Sequence, residues 1–263
     1  MPSYVTWEPD ISTPPHKKHR WILVLGLAVL GLIVVAGAWL VTIVLPARED
    51  YSSTSTVNAA DSTLLRVDTD GAGVTLRAGT DSSVHVAATG DYTDTRPEVS
   101  AVASGATTTV SASCAGSCSL RLEITLPAGL ATEVSSGAGE ITASDLTGRL
   151  ALNTKAGAIN VTNPGGPLVL HSGSGQIVVA GAKSPRFDAT TKEGEVRAAF
   201  TTAPTTTNVT TDQGGVDLAL PPHAGYYVEA SSESATPQIS VPVDRNAKNT
   251  VTVKTGSGGV DIH

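Results

Sequence analysis

The chain has 263 residues, a net charge of −7, 26 glycines and only 4% aromatic residues. So few aromatic side chains exclude an ordinary large globular core and favour a narrow core of Ile, Val, Leu and Ala. The modest acidity, without a basic face along the sequence, indicates that nucleic acid is not a partner.

The first 45 residues predict a tail and a membrane span. Residues 1–20 contain several prolines and no apolar periodicity, which is typical of a disordered tail. Residues 21–45 contain no charge and would form a helix of about 37 Å, enough to span a hydrocarbon core of about 30 Å. Trp21 and Trp39 are spaced like two interfacial anchors. The basic residues before the span predict a cytoplasmic N-terminus, with the rest of the chain outside the cell.

The length of the apolar segment distinguishes an anchor from a cleavable signal peptide. Ala36-Gly-Ala38 would serve as a cleavage site, but the apolar run continues to Leu45, which is long for a signal-peptide core. An uncleaved signal anchor is therefore predicted. Residues 46–63, rich in Ser, Thr and Ala, are predicted to form a flexible stalk that lifts the next domain off the bilayer.

Residues 136–218 repeat one pattern. An apolar anchor recurs after 18, 18, 19 and 20 residues, at Ile141, Ile159, Ile177, Val196 and Val216. A fixed period near 20 residues is typical of stacked architectures. The positions nine and seven before each anchor and two after it are mostly apolar and share one parity, whereas the positions between them are mostly polar. Each repeat is therefore predicted to be two short strands, apolar inward and polar outward, joined by a turn.

Each predicted turn carries a hydroxyl and a glycine at fixed positions. A hydroxyl stands five residues before each anchor, and its parity predicts a stacked inward row that satisfies turn backbone groups. A glycine stands two residues before each anchor, either because the turn needs a positive φ or because neighbouring coils stack closely. A phosphate-binding loop is the functional alternative, but no helix follows any of these turns. The hydroxyls are Ser136, Thr154, Ser172, Thr191 and Thr211, and the turn glycines are Gly139, Gly157, Gly175, Gly194, Gly214 and, from a C-terminal copy, Gly258.

The same template extends the repeat in both directions. It fits a copy that begins near Leu64, with Ala72 in place of the glycine, and two copies within 228–241 and 251–262. A repeat domain over 64–263 is therefore predicted. Residues 83–127 break the pattern and are predicted to form irregular hairpin strands that cap the N-terminal end of the stack.

Cys114 and Cys118 are the only cysteines and lie between two of these strands. On the exported side of a membrane, a disulfide that closes the hairpin is the predicted role. A redox-active dithiol is the alternative, but the spacing is not Cys-x-x-Cys. A metal site would need further ligands, and none is close in sequence.

No residue pattern predicts a catalytic, cofactor or metal site. His171 points outward beside the hydroxyl row, but the equivalent positions hold Asn153 and Thr190, which indicates a solvated face. Glu193 and Glu195 flank one turn glycine and would suit glycosidic chemistry only if paired across a cleft. The equivalent turns lack such a pair, so the chain is predicted not to be an enzyme.

The segment Leu126-Pro-Ala-Gly-Leu130 and the phrase from Glu133 to Ile141, with its repeats, resemble the Toastrack family. This bacterial domain of unknown function is also named for candidate adhesins. The resemblance covers roughly 64–263 and implies a β-solenoid with recurring Gly-x-Ile turns. It also implies a surface or envelope protein connected with adhesion or with sensing envelope stress. The family has no assigned catalytic residues, so the resemblance transfers none.

The sequence therefore predicts an all-β protein, a parallel β-solenoid with an N-terminal transmembrane helix, in preference to an antiparallel sandwich. The predicted function is a non-enzymatic, adhesin-like binding or scaffold protein, single-pass in the cell membrane. Its expected partners are the membrane and an envelope glycan or surface protein. The alternatives are an envelope-stress sensor that signals through the 20-residue tail, and an enzyme of the β-helix lyase or glycosidase kind.

Overall fold

A computed structural model describes residues 25–35 and 48–263. Residues 25–35 form a helix, and residues 48–263 belong to a separate compact unit. In the described part of the chain, no helix is both long and apolar enough to cross a membrane. The predicted tail (1–20), Trp21 and Trp39 lie outside the described residues.

Residues 48–263 fold into 21 β-strands. The strands are β1 (Glu49–Asn58), β2 (Leu64–Thr69), β3 (Gly73–Gly79), β4 (Ser83–Tyr92), β5 (Glu98–Ser104), β6 (Thr107–Ser113), β7 (Cys118–Pro127), β8 (Ala131–Ser136), β9 (Ile141–Ser144), β10 (Leu150–Thr154), β11 (Ile159–Thr162), β12 (Leu168–Ser174), β13 (Ile177–Ala182), β14 (Arg186–Glu193), β15 (Val196–Phe200), β16 (Thr206–Gln213), β17 (Val216–Ala219), β18 (Tyr226–Ser232), β19 (Gln238–Ile239), β20 (Asn249–Ser257) and β21 (Val260–Ile262).

The strands form two sheets. Sheet 1 has eleven strands in the order β1-β4-β7-β3-β9-β11-β13-β15-β17-β21-β19. Sheet 2 has ten strands in the order β18-β20-β16-β14-β12-β10-β8-β2-β6-β5. Each repeat contributes one strand to each sheet, so one repeat is one coil of the stack.

Neighbouring coils pair in parallel with equivalent residues in register. Ile159 is paired with Ile141 on one side and Ile177 on the other, and Leu150 is paired with Leu168. These inward side chains are fully buried and form one continuous core between the sheets. The parallel stacking predicted from the period is confirmed, and the antiparallel sandwich is not the fold.

The order of coils in the stack differs from the order in the chain at both ends. Strands β6 and β7 follow β2 and β3 in sequence, but their coil lies outside that of β2 and β3. At the other end, the coil of β20 and β21 lies between that of β16 and β17 and that of β18 and β19. At the C-terminal end the chain forms the outermost coil first and then fills the level inside it, whereas at the N-terminal end the coil of β2 and β3 is formed before the coil outside it.

The segment 83–127 is only partly the hairpin insert that the sequence predicted. Strand β4 pairs antiparallel with β1 and β7, and β5 pairs antiparallel with β6. Strands β6 and β7, however, run parallel to β2 and β3 and form a further coil. The prediction was wrong for β6 and β7 because alternating apolar residues suit a parallel coil as well as a hairpin.

The predicted flexible stalk is also corrected. Residues 49–58 are not a linker but β1, which pairs with β4 along its whole length. Tyr51 is buried, and alternate residues from Ser53 to Val57 are half-buried, so one face packs on the domain. The Ser/Thr-rich composition predicts a linker, but Thr also suits strands, and an edge strand needs only one apolar face.

Candidate functional site

The predicted hydroxyl row lies inside the turns that lead from a strand of sheet 2 to the next strand in sheet 1, which we call the corners of the solenoid. The hydroxyls bond backbone groups there. Thr154 Oγ1 donates to the carbonyl of Gly139 in the adjacent coil (3.3 Å) and accepts from the N–H of Gly157 (3.0 Å). Ser172 Oγ donates to the carbonyl of Gly157 at 2.9 Å. The same bond to a neighbouring coil is made by Thr191, Thr211, Thr255 and Ser232. The row therefore satisfies buried backbone groups rather than holding a ligand.

The turn glycines are required by close stacking. A Cβ added to Gly157 would overlap the carbonyl oxygen of Gly139. The same obstruction by a neighbouring backbone carbonyl is found at Gly139, Gly175, Gly194, Gly214 and Gly258. Only the last three of these also have a positive φ, between 149° and 155°. Of the two explanations left open by the sequence, close approach of coils is thus the one that all six share.

Cys114 and Cys118 bracket the turn from β6 to β7, and their Cα atoms are 6.3 Å apart. That separation suits a disulfide, and the pairing stays the prediction made from the sequence. The turn is a corner between the two sheets, not a hairpin as predicted. Ala112 pairs with Thr69 and so takes the position of the hydroxyl row, which means that this end coil lacks the usual corner bond. A disulfide here would hold the corner in its place.

With the corners occupied by structural bonds, the residues free to meet a ligand are the outward rows of the two sheets. On the outer face of sheet 2, a depression of about 320 Å³ crosses β2, β8, β10 and β12. We call it the sheet 2 groove. Its lining residues are Arg66, Asp68, Glu133, Val134, Ser135, Ala151, Leu152, Asn153, Val169 and His171.

Two rows of side chains run across the sheet 2 groove, with one residue from each strand. The first begins with Arg66 and Glu133, whose Nη2 and Oε2 atoms are 3.0 Å apart, and continues with Ala151 and Val169. The second consists of Asp68, Ser135, Asn153 and His171, all exposed. Adjacent members stand on strands about 4.8 Å apart.

The groove combines a half-buried apolar strip with planar polar groups beside it. Ala151 and Val169 form the strip, and Asn153 and His171 lie next to it on the same two strands. Amide, carboxylate and imidazole groups can bond the adjacent hydroxyls of a sugar while the strip contacts the ring. The arrangement can therefore bind an extended polar chain laid across the strands.

The outward position predicted for His171 agrees with the structure, which places it in this groove. Arg66, Asp68 and Glu133 were missed as site residues. The alternation of apolar and polar residues indicates that these side chains point outward. However, Arg66 and Glu133 are 67 residues apart in sequence. Only the packing of β2 beside β8 brings them together.

The acidic candidates Glu193 and Glu195 lie at the turn between β14 and β15. Glu193 is exposed, and Glu195 accepts a bond from Arg197 Nη2 at 2.6 Å. Across residues 25–35 and 48–263, no group of three or more His, Cys, Asp or Glu side chains is arranged to hold a metal ion.

The family model described as Toastrack DUF4097 matches residues 127–263. Among solved structures, a candidate cell adhesion protein from Clostridium sporogenes is 13% identical, with a TM-score of 0.40 over 81% of this chain and 99% of that one. A candidate adhesin from Parabacteroides distasonis is 13% identical, with a TM-score of 0.46 over 81% and 97%. One from Bacteroides fragilis is 12% identical, with a TM-score of 0.38 over 83% and 99%. No curated protein matches the sequence.

Proposed function

This chain belongs to the Toastrack family (DUF4097), and we propose that its solenoid is a non-enzymatic, adhesin-like binding or scaffold domain of the cell envelope. The observation that carries the proposal is the sheet 2 groove. It is an open, exposed array of polar side chains on a rigid support, not an enclosed cavity of the kind that excludes water for catalysis.

Rigidity supports a binding role. The hydroxyls of Thr154 and Ser172 bond the neighbouring coils, so β10 and β12 cannot shift relative to the adjacent coils without breaking these bonds. Side chains that stand on fixed strands lose little conformational freedom on binding, which favours affinity from many weak contacts. A solenoid is thus suited to hold one contact per coil in a regular line.

The chemistry of the groove favours an envelope glycan as the ligand. Its polar groups are planar donors and acceptors, and its apolar strip is narrow. Protein interfaces usually rely on aromatic anchors in their centre, and the groove lining contains no aromatic side chain except the imidazole of His171. Strands about 4.8 Å apart offer an extended ligand one polar contact per strand.

A single-pass membrane anchor completes the proposal. Residues 21–45 contain no charge and are bounded by basic residues on one side, which supports a cytoplasmic N-terminus and an extracellular solenoid. A disulfide between Cys114 and Cys118 would fit the oxidising exterior.

Binding can be tested on cells that display the full chain, with immobilised envelope polysaccharide as the probe. The double substitution Asn153→Ala/His171→Ala removes two exposed groove side chains and should weaken binding about thirtyfold, because each of the two lost hydrogen bonds costs about 1 kcal/mol. The control is Thr142→Ala/Thr162→Ala on the outer face of sheet 1. Equal binding by both variants would contradict the proposal.

The same cells separate binding from the sensor alternative. Deleting residues 2–15 should leave polysaccharide binding unchanged if the solenoid alone recognises the ligand. A changed transcription of envelope-stress genes, with no binding to the polysaccharide, would instead identify a sensor.

A further inference from the structure

The core of the solenoid is left uncovered at the end formed by β18 and β19. Val228 and Ala230 of β18 are in register with Val251 and Val253 of β20. Val251 and Val253 are fully buried, whereas Val228 and Ala230 are only half-buried although they occupy the same core positions. The side of these residues that faces away from β20 therefore lacks a neighbour among the described residues.

Exposed apolar side chains gather at the same end. In residues 48–263, the large apolar side chains that are exposed are Val102, Tyr227, Ile239 and Val243. Three of them belong to this end: Tyr227 lies on β18, Ile239 on β19, and Val243 follows them beside Tyr226. Ile239 is 41% exposed and Val243 57% exposed. Such a concentration at one end marks an interaction site rather than scattered surface residues.

The outer edge of β18 is open to pairing. Tyr226 bonds the backbone of Pro242 and Asp244 through its own N–H and carbonyl. From Tyr227 to Ser232, β18 pairs with β20 on one side and with no strand of the described chain on the other. The strand contains no Pro, Lys or Arg, which are the residues that commonly protect such an edge.

We propose that the partner at this end is a second copy of this chain, docked tip to tip. The opposite end carries the antiparallel strands β1, β4 and β5, so it does not offer a matching open coil for head-to-tail stacking. A copy can then meet the open end only with its own open end, which gives a closed two-fold dimer. A two-fold axis perpendicular to the sheets sets β18 against β18 and β19 against β19, and it continues both sheets across the joint.

The charges at the tip suit a second copy. Glu229 and Glu233 are acidic, and Arg245 and Lys248 in the loop after β19 are basic, so the end carries both signs. A two-fold axis can bring the acidic part of one copy to the basic part of the other, whereas an end of one sign would repel itself. A pairing of the β18 strands centred on Ala230 sets Glu229 opposite Ser231 of the other copy and so avoids facing carboxylates.

The contact covers only the cross-section of one coil, which is small compared with a stable dimer interface. The dimer is therefore weak in dilute solution and forms where many copies are concentrated on one surface or on two facing surfaces. Dimer formation at this end does not depend on the sheet 2 groove or on its ligand.

Cysteine cross-linking on cells that display the full chain tests the dimer. Ser231→Cys places a thiol on the outer face of β18, within reach of its two-fold mate for a short bismaleimide. The matched control is Ser104→Cys on β5, the edge of the same sheet at the opposite end. A cross-linked product with twice the mass of the chain is expected from Ser231→Cys and not from Ser104→Cys.

The apolar contact is tested by adding Ile239→Lys and Val243→Lys to Ser231→Cys. Both side chains are exposed, so the fold should be retained, which an unchanged melting temperature checks. The dimer product should fall about tenfold, because the substitutions charge the centre of the joint. Absence of the product, equal product from Ser104→Cys, no loss in the lysine variant, or a product with another protein would each overturn the proposal.

Discussion

The two ends of the solenoid are finished in different ways. At the N-terminal end, β1, β4 and β5 run antiparallel to their neighbours, and the turn from β6 to β7 is bracketed by two cysteines. At the C-terminal end, the outermost coil is β18 with the two-residue β19, and its core positions are half open. Between the ends, the turns from sheet 2 to sheet 1 that begin at β8, β10, β12, β14 and β16 each carry a buried hydroxyl and a closely stacked glycine.

The difference shows what a stacked coil needs from its surroundings. An internal coil receives backbone bonds, core contacts and a corner bond from both neighbours, so one short pattern is sufficient. An end coil loses one neighbour and must replace it. The N-terminal end does so within the chain, and we have proposed that the C-terminal end does so with a second copy.

A substitution in an internal corner should have the largest effect on the free energy of unfolding. This effect is the reference for changes at the two ends. Gly157→Ala puts a methyl group against the backbone carbonyl of Gly139, which cannot move without separating the coils. We expect a loss of about 3 kcal/mol in the free energy of unfolding, at the upper end for overpacking. Urea denaturation followed by circular dichroism measures it.

The control for that change is Gly71→Ala in the turn between β2 and β3, where an added Cβ meets nothing within 4 Å. Its denaturation midpoint should stay at or slightly above that of the parent chain. Similar losses from both substitutions would mean that close stacking is not what the corner glycines provide.

Removing the predicted disulfide between Cys114 and Cys118 should weaken the N-terminal end alone. Cys114→Ser/Cys118→Ser opens a loop with a sequence separation of four, for which loop-closure entropy predicts a loss of about 2 kcal/mol. Hydrogen exchange should become faster in β6 and β7 and stay unchanged in β18. A reducing agent should reproduce the effect in the parent chain and do nothing to the double variant. Unchanged exchange in β6 would show that this corner is held without the disulfide.

Two threonines of β16 should respond in opposite directions to the same substitution. Thr207 Oγ1 is buried without a hydrogen-bond partner among the described residues, whereas Thr211 Oγ1 donates to the carbonyl of Gly194 at 3.3 Å. Thr207→Val should raise the free energy of unfolding by about 1 kcal/mol, and Thr211→Val should lower it by about as much. Urea midpoints compare the pair directly, and a stabilised Thr211→Val would refute the corner role of the hydroxyls.

The smallest expected effect is a pH dependence of the stability of the N-terminal cap, which is formed by β1, β4 and β5. The hydrogen bond from His85 Nε2 to Asp81 Oδ2 (2.8 Å), followed by the bond from the backbone of Ser83, lowers the pKa of Asp81 below its usual 3.8. The stabilisation is therefore present above pH 3.8 and is lost as the pH falls through the lowered pKa. Thr56 of β1 also contacts His85, so hydrogen exchange in β1 and β4 should quicken slightly in strong acid. Asp81→Asn should remove this pH dependence, and an unaltered acid response in that variant would assign it to another group.

Much of the architecture could be predicted from particular residues of the repeat. The parity of Leu150 and Leu152 against Asn153 identified the inner and outer faces, because successive side chains of a strand point to opposite sides. Strand β1 was missed because half of its ten residues are Ser or Thr. The shared parity of Tyr51 and Val57 was the signal that could have identified it.

The sequence by itself determined the coil: its two strands, its buried rows, its hydroxyl corner and its glycine. These follow from local geometry, since strand alternation and turn chemistry act within about 20 residues. Only the tertiary structure decided the order of the coils, the cap formed by β1, β4 and β5, and the meeting of Arg66 with Glu133. The physical reason is that similar coils present similar pairing edges, so the pattern does not encode which neighbour each coil accepts.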